Sequence, residues 1–271
     1  MTSGRMSGSG RRIGAMVMRH VYVLRGSWPR MFDLFYWPTV QVALWGLIGQ
    51  FVASQSSMLA QAGGLFLSAI LLWDMLFRCQ LGVSMGFMEE MWSRNLGHLF
   101  TSPLRPWELV ASMFATSLIR TAIGVGGAAL ASVLLYDFWI VGALGPGLAL
   151  FVSSLLLFGG ALGVLISALI MRLGLAAENL AWGVVFLLQP LSGVFYPIAI
   201  LPGFLQPVAW LLPSAWVFEA MRGVLLDGRL DPWLLAGAFA ANIGWLLLAG
   251  TVFVWLFVQA RDRGLLLQVG E

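Results

Sequence analysis

Apolar residues run along this chain in long blocks, and most polar residues fall in the gaps between them. A bilayer's hydrocarbon core takes roughly 20 apolar residues in helical form. Six blocks approach that length, at about 36–53, 64–87, 107–135, 147–171, 179–194 and 232–258. Each is opened or closed by residues that suit a helix end. Phe35, Tyr36 and Trp37 open the first, as aromatics do at headgroup level. Pro106 suits the first turn of the third, Gly145, Pro146 and Gly147 interrupt the chain before the fourth, and Asp231 followed by Pro232 reads as an N-cap and first helical position for the sixth.

Three further segments carry apolar residues without the pattern of a span. Over Ile13 to Asp33, Met16, Val17, Val21, Leu24 and Met31 alternate with Arg19, Arg25 and Arg30, which predicts an amphipathic helix lying on a membrane surface and broken near Pro29. Between the second and third spans, Trp92, Leu96, Leu99 and Phe100 share one helical face of Glu89 to Arg105, with Glu89, Glu90, Arg94, Asn95 and His98 off it; Pro103 and Pro106 stop that helix. The third segment holds Pro190, Pro197, Pro202, Pro207 and Pro213, five of the protein's 11 prolines. Each removes a backbone donor and clashes with the preceding turn, so the chain must break and re-enter there, against protein or at the interface. Helix resumes at about Ser214, read as an N-cap, and stops near Gly228. Residues 1–12, rich in Gly and Ser, are expected to be a disordered tail, and 259–271 a short charged one. No cleavable signal peptide is expected, because the first long apolar block begins too far from the start.

Composition strengthens the membrane reading, with 60% hydrophobic and 10% charged residues among 271. All 15 basic residues are arginine, and the absence of lysine excludes a Walker A loop and Schiff-base chemistry in this chain. Any ATP used must be bound by another chain. One cysteine, Cys79, cannot form an intrachain disulfide, a zinc tetrad or an iron–sulfur cluster, and two separated histidines, His20 and His98, do not suggest a metal site. The net charge of +3 calls for no nucleic-acid partner. With the N-terminus inside, the inner segments hold Arg5, Arg11, Arg12, Arg19, Arg25, Arg30, Arg94, Arg105, Arg172, Arg261 and Arg263, and the outer ones only Arg222 and Arg229. The positive-inside rule therefore puts both termini in the cytoplasm.

Charges within spans are costly and mark candidate functional positions. Asp74 and Arg78 lie four apart in the second span, in the favourable order for an intrahelical pair. Arg120 in the third lies about 20 Å from its inner end, as does Asp74 in the second, so these two are expected to meet near mid-bilayer, with Arg78 snorkelling or joining them. The cluster reads either as the lining or gate of a transport path or as a pair that fixes helix register. Gly124, Gly126 and Gly127 with Gly159 and Gly163 offer small faces, assigned to intrachain packing ahead of a dimer seam. Trp28, Trp37, Trp107, Trp139 and Trp233 fit an aromatic belt, while Trp73, Trp182 and Trp245 lie within spans. No catalytic constellation emerges, and Glu89 and Glu90 read as a solvated face or a protein contact.

The order of parts resembles the type-2 ABC exporter permease family. Two passages carry the resemblance: EEMWSRNLGHLFTSPLRPWEL, Glu89 to Leu109, and PLSGVFYPIAILPGFLQPVAWLLPSAWVFEAMRGVLLDG, Pro190 to Gly228, which is similar to the family's outer signature of SGV, YP, LP, a later proline and E-x-x-R. The resemblance implies an all-α integral membrane protein with six transmembrane helices, an N-terminal interfacial helix, a cytoplasmic coupling helix and a re-entrant outer hairpin before the last span. It also implies a homodimer paired with two separate ATP-binding cassette subunits, with ATP and magnesium on those partners and no cofactor here. Such a complex in the plasma (bacterial inner) membrane exports an amphipathic small molecule, a lipid or a lipid-linked substrate.

Within that frame Glu89, Glu90, Trp92, Arg94, Leu96, His98, Leu99 and Phe100 would contact the ATPase. Pro190, Gly193, Tyr196, Pro197, Pro202, Pro207, Pro213, Glu219 and Arg222 would form the outer cap. His98, Asp74 and Arg78 depart from the commoner family pattern, so no role for them is inherited. Two other classes stay open: an ion-coupled secondary transporter using Asp74, and a non-catalytic membrane assembly protein.

Overall fold

The computed structural model describes residues 3–55, 62–93, 95, 102–174 and 178–262, and among these the chain is helical with no strand. The elements are α1 (Ser3–Arg25), α2 (Trp28–Gln55), α3 (Ala62–Trp92), α4 (Pro106–Tyr136), α5 (Ile140–Leu144), α6 (Gly147–Leu173) and α7 (Glu178–Leu191). A 3₁₀ turn (Ile198–Ile200), α8 (Gln206–Ala209), α9 (Pro213–Asp227) and α10 (Pro232–Asp262) follow.

Four described helices are long and apolar enough to cross a membrane: α3 from Gly64, α4, α6 and α10. The two other candidate spans fall short for different reasons. α2 has the length, at 28 residues, but Pro38, Gln41 and Gln50 dilute its apolar character. α7 is apolar, yet its 14 residues reach only about 21 Å.

Close packing of α3 on α6 is the centre of the molecule, and α10 covers the other side of α6. Glycine permits this approach: a Cβ on Gly159 would lie 2.6 Å from the Leu76 carbonyl oxygen, and one on Gly163 would lie 2.6 Å from Cβ of Val83. α2 and α4 pack on the opposite flank of α3, and α1 lies along α4 and α2. Gly124 sits under this flank, where a Cβ would come 2.9 Å from the Leu34 carbonyl and 3.2 Å from Arg78 Nε. Gly124, Gly127, Gly159 and Gly163 thus serve packing within the chain, whereas Gly126 faces open space.

The interior divides into two main apolar cores. One, at the end holding the proline-rich segment, gathers Leu71, Leu76, Phe151, Phe158, Leu212, Phe218 and Met221. The other, at the α1 end, gathers Met16, Val83, Phe87, Leu109, Met113 and Phe253, so α3 and α6 contribute opposite halves to each.

Several boundaries differ from the sequence expectations, each for a local reason. The segment 1–12, expected to be disordered, is helical from Ser3 onward, continuous with the amphipathic stretch, and Arg12 within it is tied to α4. The break expected near Pro29 falls at Gly26 and Ser27, and Pro29 enters the first turn of α2, where its missing N–H costs nothing. The separate helix expected from Glu89 does not begin there, since α3 continues to Trp92. Pro190 lies in the last turn of α7, and the break follows Leu191. Ser214 is not the N-cap of α9: Leu212 holds that position, and the Ser214 hydroxyl is 2.7 Å from that of Ser192. At α10, Asp231 does cap, with Oδ1 accepting from the Trp233 N–H at 2.8 Å.

Candidate functional site

Among the described residues, charged side chains gather in three places, the densest of which joins α1, α2, the end of α3 and the start of α4. Glu108 stands in the first turn of α4, where its Oε2 accepts from the Arg105 N–H at 2.9 Å, a capping arrangement that fixes the carboxylate. Arg12 of α1 grips that carboxylate with two nitrogens, at 2.8 and 2.5 Å. This bidentate contact is the strong form of an arginine–carboxylate pair. It raises the Arg12 pKa further above its ordinary value, so the tie keeps its charge throughout the physiological range.

About two turns further along α1, Arg19 donates to Glu90 Oε1 at 2.6 Å, while Asn95 Nδ2 holds the other oxygen at 2.7 Å. The Glu90 side chain is only 2% exposed, so it is a protein contact and not a solvated face. His20 lies behind it, with Nδ1 at 2.9 Å from the Met16 carbonyl and Nε2 at 3.3 Å from Glu90 Oε1. Because a carbonyl only accepts, Nδ1 is the donor in that contact. Glu89 is shared at 3.4 Å by Arg30 of α2 and Arg120 of α4. Three glutamates and four arginines thus form a belt across four helices.

The second place is the pair within α3. Arg78 Nε donates to Asp74 Oδ2 at 2.6 Å along one helical face. The expected meeting of Asp74 with Arg120 does not occur: Arg120 extends toward Glu89 and Arg78 turns back to Asp74, so arginines on facing helices point in opposite directions. Separating them limits like-charge repulsion and leaves each with an acid.

The third place is the proline-rich segment. Arg222 of α9 donates to the Gly193 carbonyl at 2.7 Å, and Glu219, one turn earlier, accepts from the Ile198 N–H at 2.6 Å and pairs with Arg222 at 3.0 Å. Gly193 has φ +58°, and a Cβ there would meet Ile198 and the Tyr196 carbonyl. The Tyr196 hydroxyl donates to the Pro190 carbonyl at 2.7 Å, and Gln206 reaches the Leu201 carbonyl at 2.9 Å. Backbone groups that the prolines leave without helical partners are satisfied by these side chains. The structure therefore brings Pro190, Gly193, Tyr196, Glu219 and Arg222 into one network, while Pro197 and Pro202 flank the 3₁₀ turn and Pro207 and Pro213 open the first turns of α8 and α9.

Of the residues expected to contact an ATPase, Glu89, Glu90 and Trp92 lie in the last turns of α3, with Trp92 exposed. Arg94, Leu96, His98, Leu99 and Phe100 lie outside the described residues. Among the tryptophans within spans, Trp73 is buried near Phe218, Trp245 packs edge-on against Phe158 and donates to the Leu211 carbonyl, and Trp182 is exposed. Sequence reasoning missed Glu108, and it used Arg12, Arg19 and Arg30 to orient the chain and, for the last two, to mark the polar face of the N-terminal helix, without assigning them partners. A glutamate three positions after Arg105, at the start of a proline-opened helix, was the available signal.

The family model described as ABC-2 type transporter matches residues 13–226, which run from α1 through α9. No curated protein matches the chain.

Proposed function

The chain belongs to the ABC-2 type transporter family, a multi-pass membrane subunit and not a catalytic ATPase domain, and from that premise we propose that it is the permease of an exporter driven by a separate ATP-binding chain. Members of this family normally pair with an ATP-binding cassette subunit. The active complex on this reading holds two copies of the permease and two of the ATPase, with ATP and magnesium on the latter. Its cargo is an amphipathic small molecule, a lipid or a lipid-linked molecule, in keeping with spans that carry few amide or charged groups.

Six spans follow if α2 and α7 cross together with the four long apolar helices. The arginine distribution then puts both termini in the cytoplasm of a bacterial inner membrane, the α1 end inside and the proline-rich hairpin at the outer face. The hairpin re-enters the outer leaflet and caps the exit.

The carrying observation is the charge belt. The segment joining α3 to α4 is the expected docking site of the ATPase, and the two helices flanking it are bolted to α1 through Glu90 and Glu108, while Glu89 ties α3 to α2 and α4. A push on that segment cannot stay local, because the same carboxylates couple α1 and α2 to the movement. Ion-coupled transport through Asp74 is disfavoured, since Arg78 already holds its carboxylate.

The deciding experiment is reconstitution with the ATPase. Leu96→Asp or Phe100→Asp should leave the permease inserted but abolish substrate-stimulated ATP hydrolysis, and unchanged stimulation would reject the docking assignment. Ion-driven flux without any ATPase would reject the exporter itself.

A further inference from the structure

His20 of α1 is 3% exposed, and each of its ring nitrogens faces an oxygen. Nδ1 lies 2.9 Å from the carbonyl of Met16, one turn back on the same helix, and Nε2 lies 3.3 Å from Glu90 Oε1 in the last turns of α3. We propose that His20 is a pH switch on the tie between α1 and α3. Its protonated, cationic ring joins Arg19 in holding Glu90, and its neutral ring does not.

The argument rests on which atoms can donate. A neutral imidazole has one N–H and one lone pair, whereas the cation has two N–H groups. A carbonyl and an ionised carboxylate only accept. The neutral ring with its proton on Nδ1 satisfies Met16 but turns the Nε2 lone pair on the carboxylate. The other neutral form turns the Nδ1 lone pair on the Met16 carbonyl. Only the cation offers a donor to both oxygens. Nε2 is buried and makes no well-formed hydrogen bond in the present arrangement, so this is a contact that a proton would close.

Among the described residues, the charged groups facing this ring come from three helices: Arg19 beside it on α1, Arg30 of α2, and Glu89 and Glu90 of α3. The two carboxylates favour a cation at His20, while burial and the two guanidiniums oppose it. Arg120 of α4 acts on this group through Glu89, which it reaches at 3.4 Å. Carboxylates and arginines ordinarily keep their charges between about pH 5 and 8, the interval in which histidine changes its own. A cleft of about 300 Å³ borders the ring and these charges, which gives the proton a route.

The sign follows from the donors. The extra N–H toward Glu90 is present on the acid side of that interval and is lost as pH rises, so α1 should hold α3 more firmly at low pH. Glu90 stands just before the segment assigned above to ATPase docking, yet the switch itself depends neither on that assignment nor on export.

The test uses the full-length permease in phosphatidylcholine nanodiscs, without its ATPase. The chain has two histidines, so His98→Gln leaves His20 as the one histidine to carry isotope-labelled ring nitrogens, whose magnetic resonance shifts report which of them holds a proton. Both should be protonated at the acid end of the interval, and Nδ1 alone at the alkaline end. Hydrogen exchange of the α1 amides, corrected for the intrinsic effect of pH, should speed up about tenfold across the interval, the effect of losing one charged hydrogen bond. His20→Gln, whose amide can donate to Glu90 at every pH, should flatten that change, and Glu90→Gln should abolish it. A neutral ring that keeps its proton on Nε2, α1 exchange that stays constant across the interval, or an equal change in His20→Gln would overturn the switch. Should Glu90→Gln fail to fold, the comparison of His20→Gln with the unaltered protein still decides.

Discussion

At the hairpin end, Glu219 and Arg222 direct their hydrogen bonds to backbone atoms 21 and 29 positions away, whereas at the α1 end Arg12 and Arg19 reach carboxylates 96 and 71 positions away. The first network closes a broken stretch of chain on itself. The second fastens four separate helices to one another. Their solvent access differs too, for the Arg222 side chain is 7% exposed while Arg19 and Arg30 are partly open. A charge held in a closed local network is costly to disturb and has nowhere to go. A charge in a partly open, long-range network can be released and remade. The hairpin network closes on itself, and the belt joins separate helices.

Substitutions at the two ends should therefore differ in size. Glu219→Ala is expected to do the most damage, because it leaves Arg222 buried without its acid and the Ile198 N–H without an acceptor; a loss of about 3 kcal/mol follows from breaking a buried pair on one side. Denaturant or thermal unfolding in detergent would measure it, and a loss below about 1 kcal/mol would erase the contrast. Glu90→Ala should cost about 1.5–3 kcal/mol, because Arg19 can turn to water once released, although Asn95 and His20 lose their partner as well. Raising salt from about 0.1 to about 1 M, which shortens the screening length from about 10 to about 3 Å, should shrink the Glu90→Ala penalty and leave that of Glu219→Ala nearly unchanged. If both penalties respond alike, the belt is as closed as the hairpin.

The same contrast explains what could be read from the sequence. Span positions were legible because bilayer thickness imposes a long apolar run, and α4, α6 and α10 begin and end within a few residues of the expected blocks. The family was legible because the hairpin's residues are close in sequence and spaced by proline and glycine. Partner identity in the belt was not legible. Arg19 could have met any acid at that end, and nothing local distinguishes Glu90 from Glu89. Depth counting failed for Asp74 and Arg120 because it places Cα atoms, and an arginine side chain can extend well away from its own backbone level. The part of α1 before Ile13 was missed because Gly and Ser argue against helix locally, while the contacts that hold it, such as Arg12 with Glu108, are long-range.

Smaller changes test whether single contacts behave as their surroundings dictate. Tyr196→Phe removes one neutral hydrogen bond, from its hydroxyl to the Pro190 carbonyl, without burying a charge, so a loss of about 0.5–1.5 kcal/mol is expected. Protease sensitivity of the segment around Pro197 should rise with it. A larger loss would mean that the hairpin depends on this one bond more than on Glu219 and Arg222.

Arg30→Gln should have the least effect on stability, although it deletes a formal charge from an ion-paired cluster. Arg30 contacts Glu89 at 3.4 Å through a partly exposed side chain, and exposed pairs of this kind contribute little. Arg120, only 12% exposed and at the same distance from Glu89, remains to neutralise the carboxylate. Removing Arg30 also lowers the surplus positive charge at this end, which offsets part of the lost attraction. The expected change in unfolding free energy is within about 0.5 kcal/mol in phosphatidylcholine. Glu89→Gln makes the converse substitution and should cost more, because it strips both arginines of their acid and leaves Arg120 buried. If Arg30→Gln proves as harmful as Glu89→Gln, the belt is not a releasable set of ties, and the distinction between the two ends fails at the point where it carries most for transport.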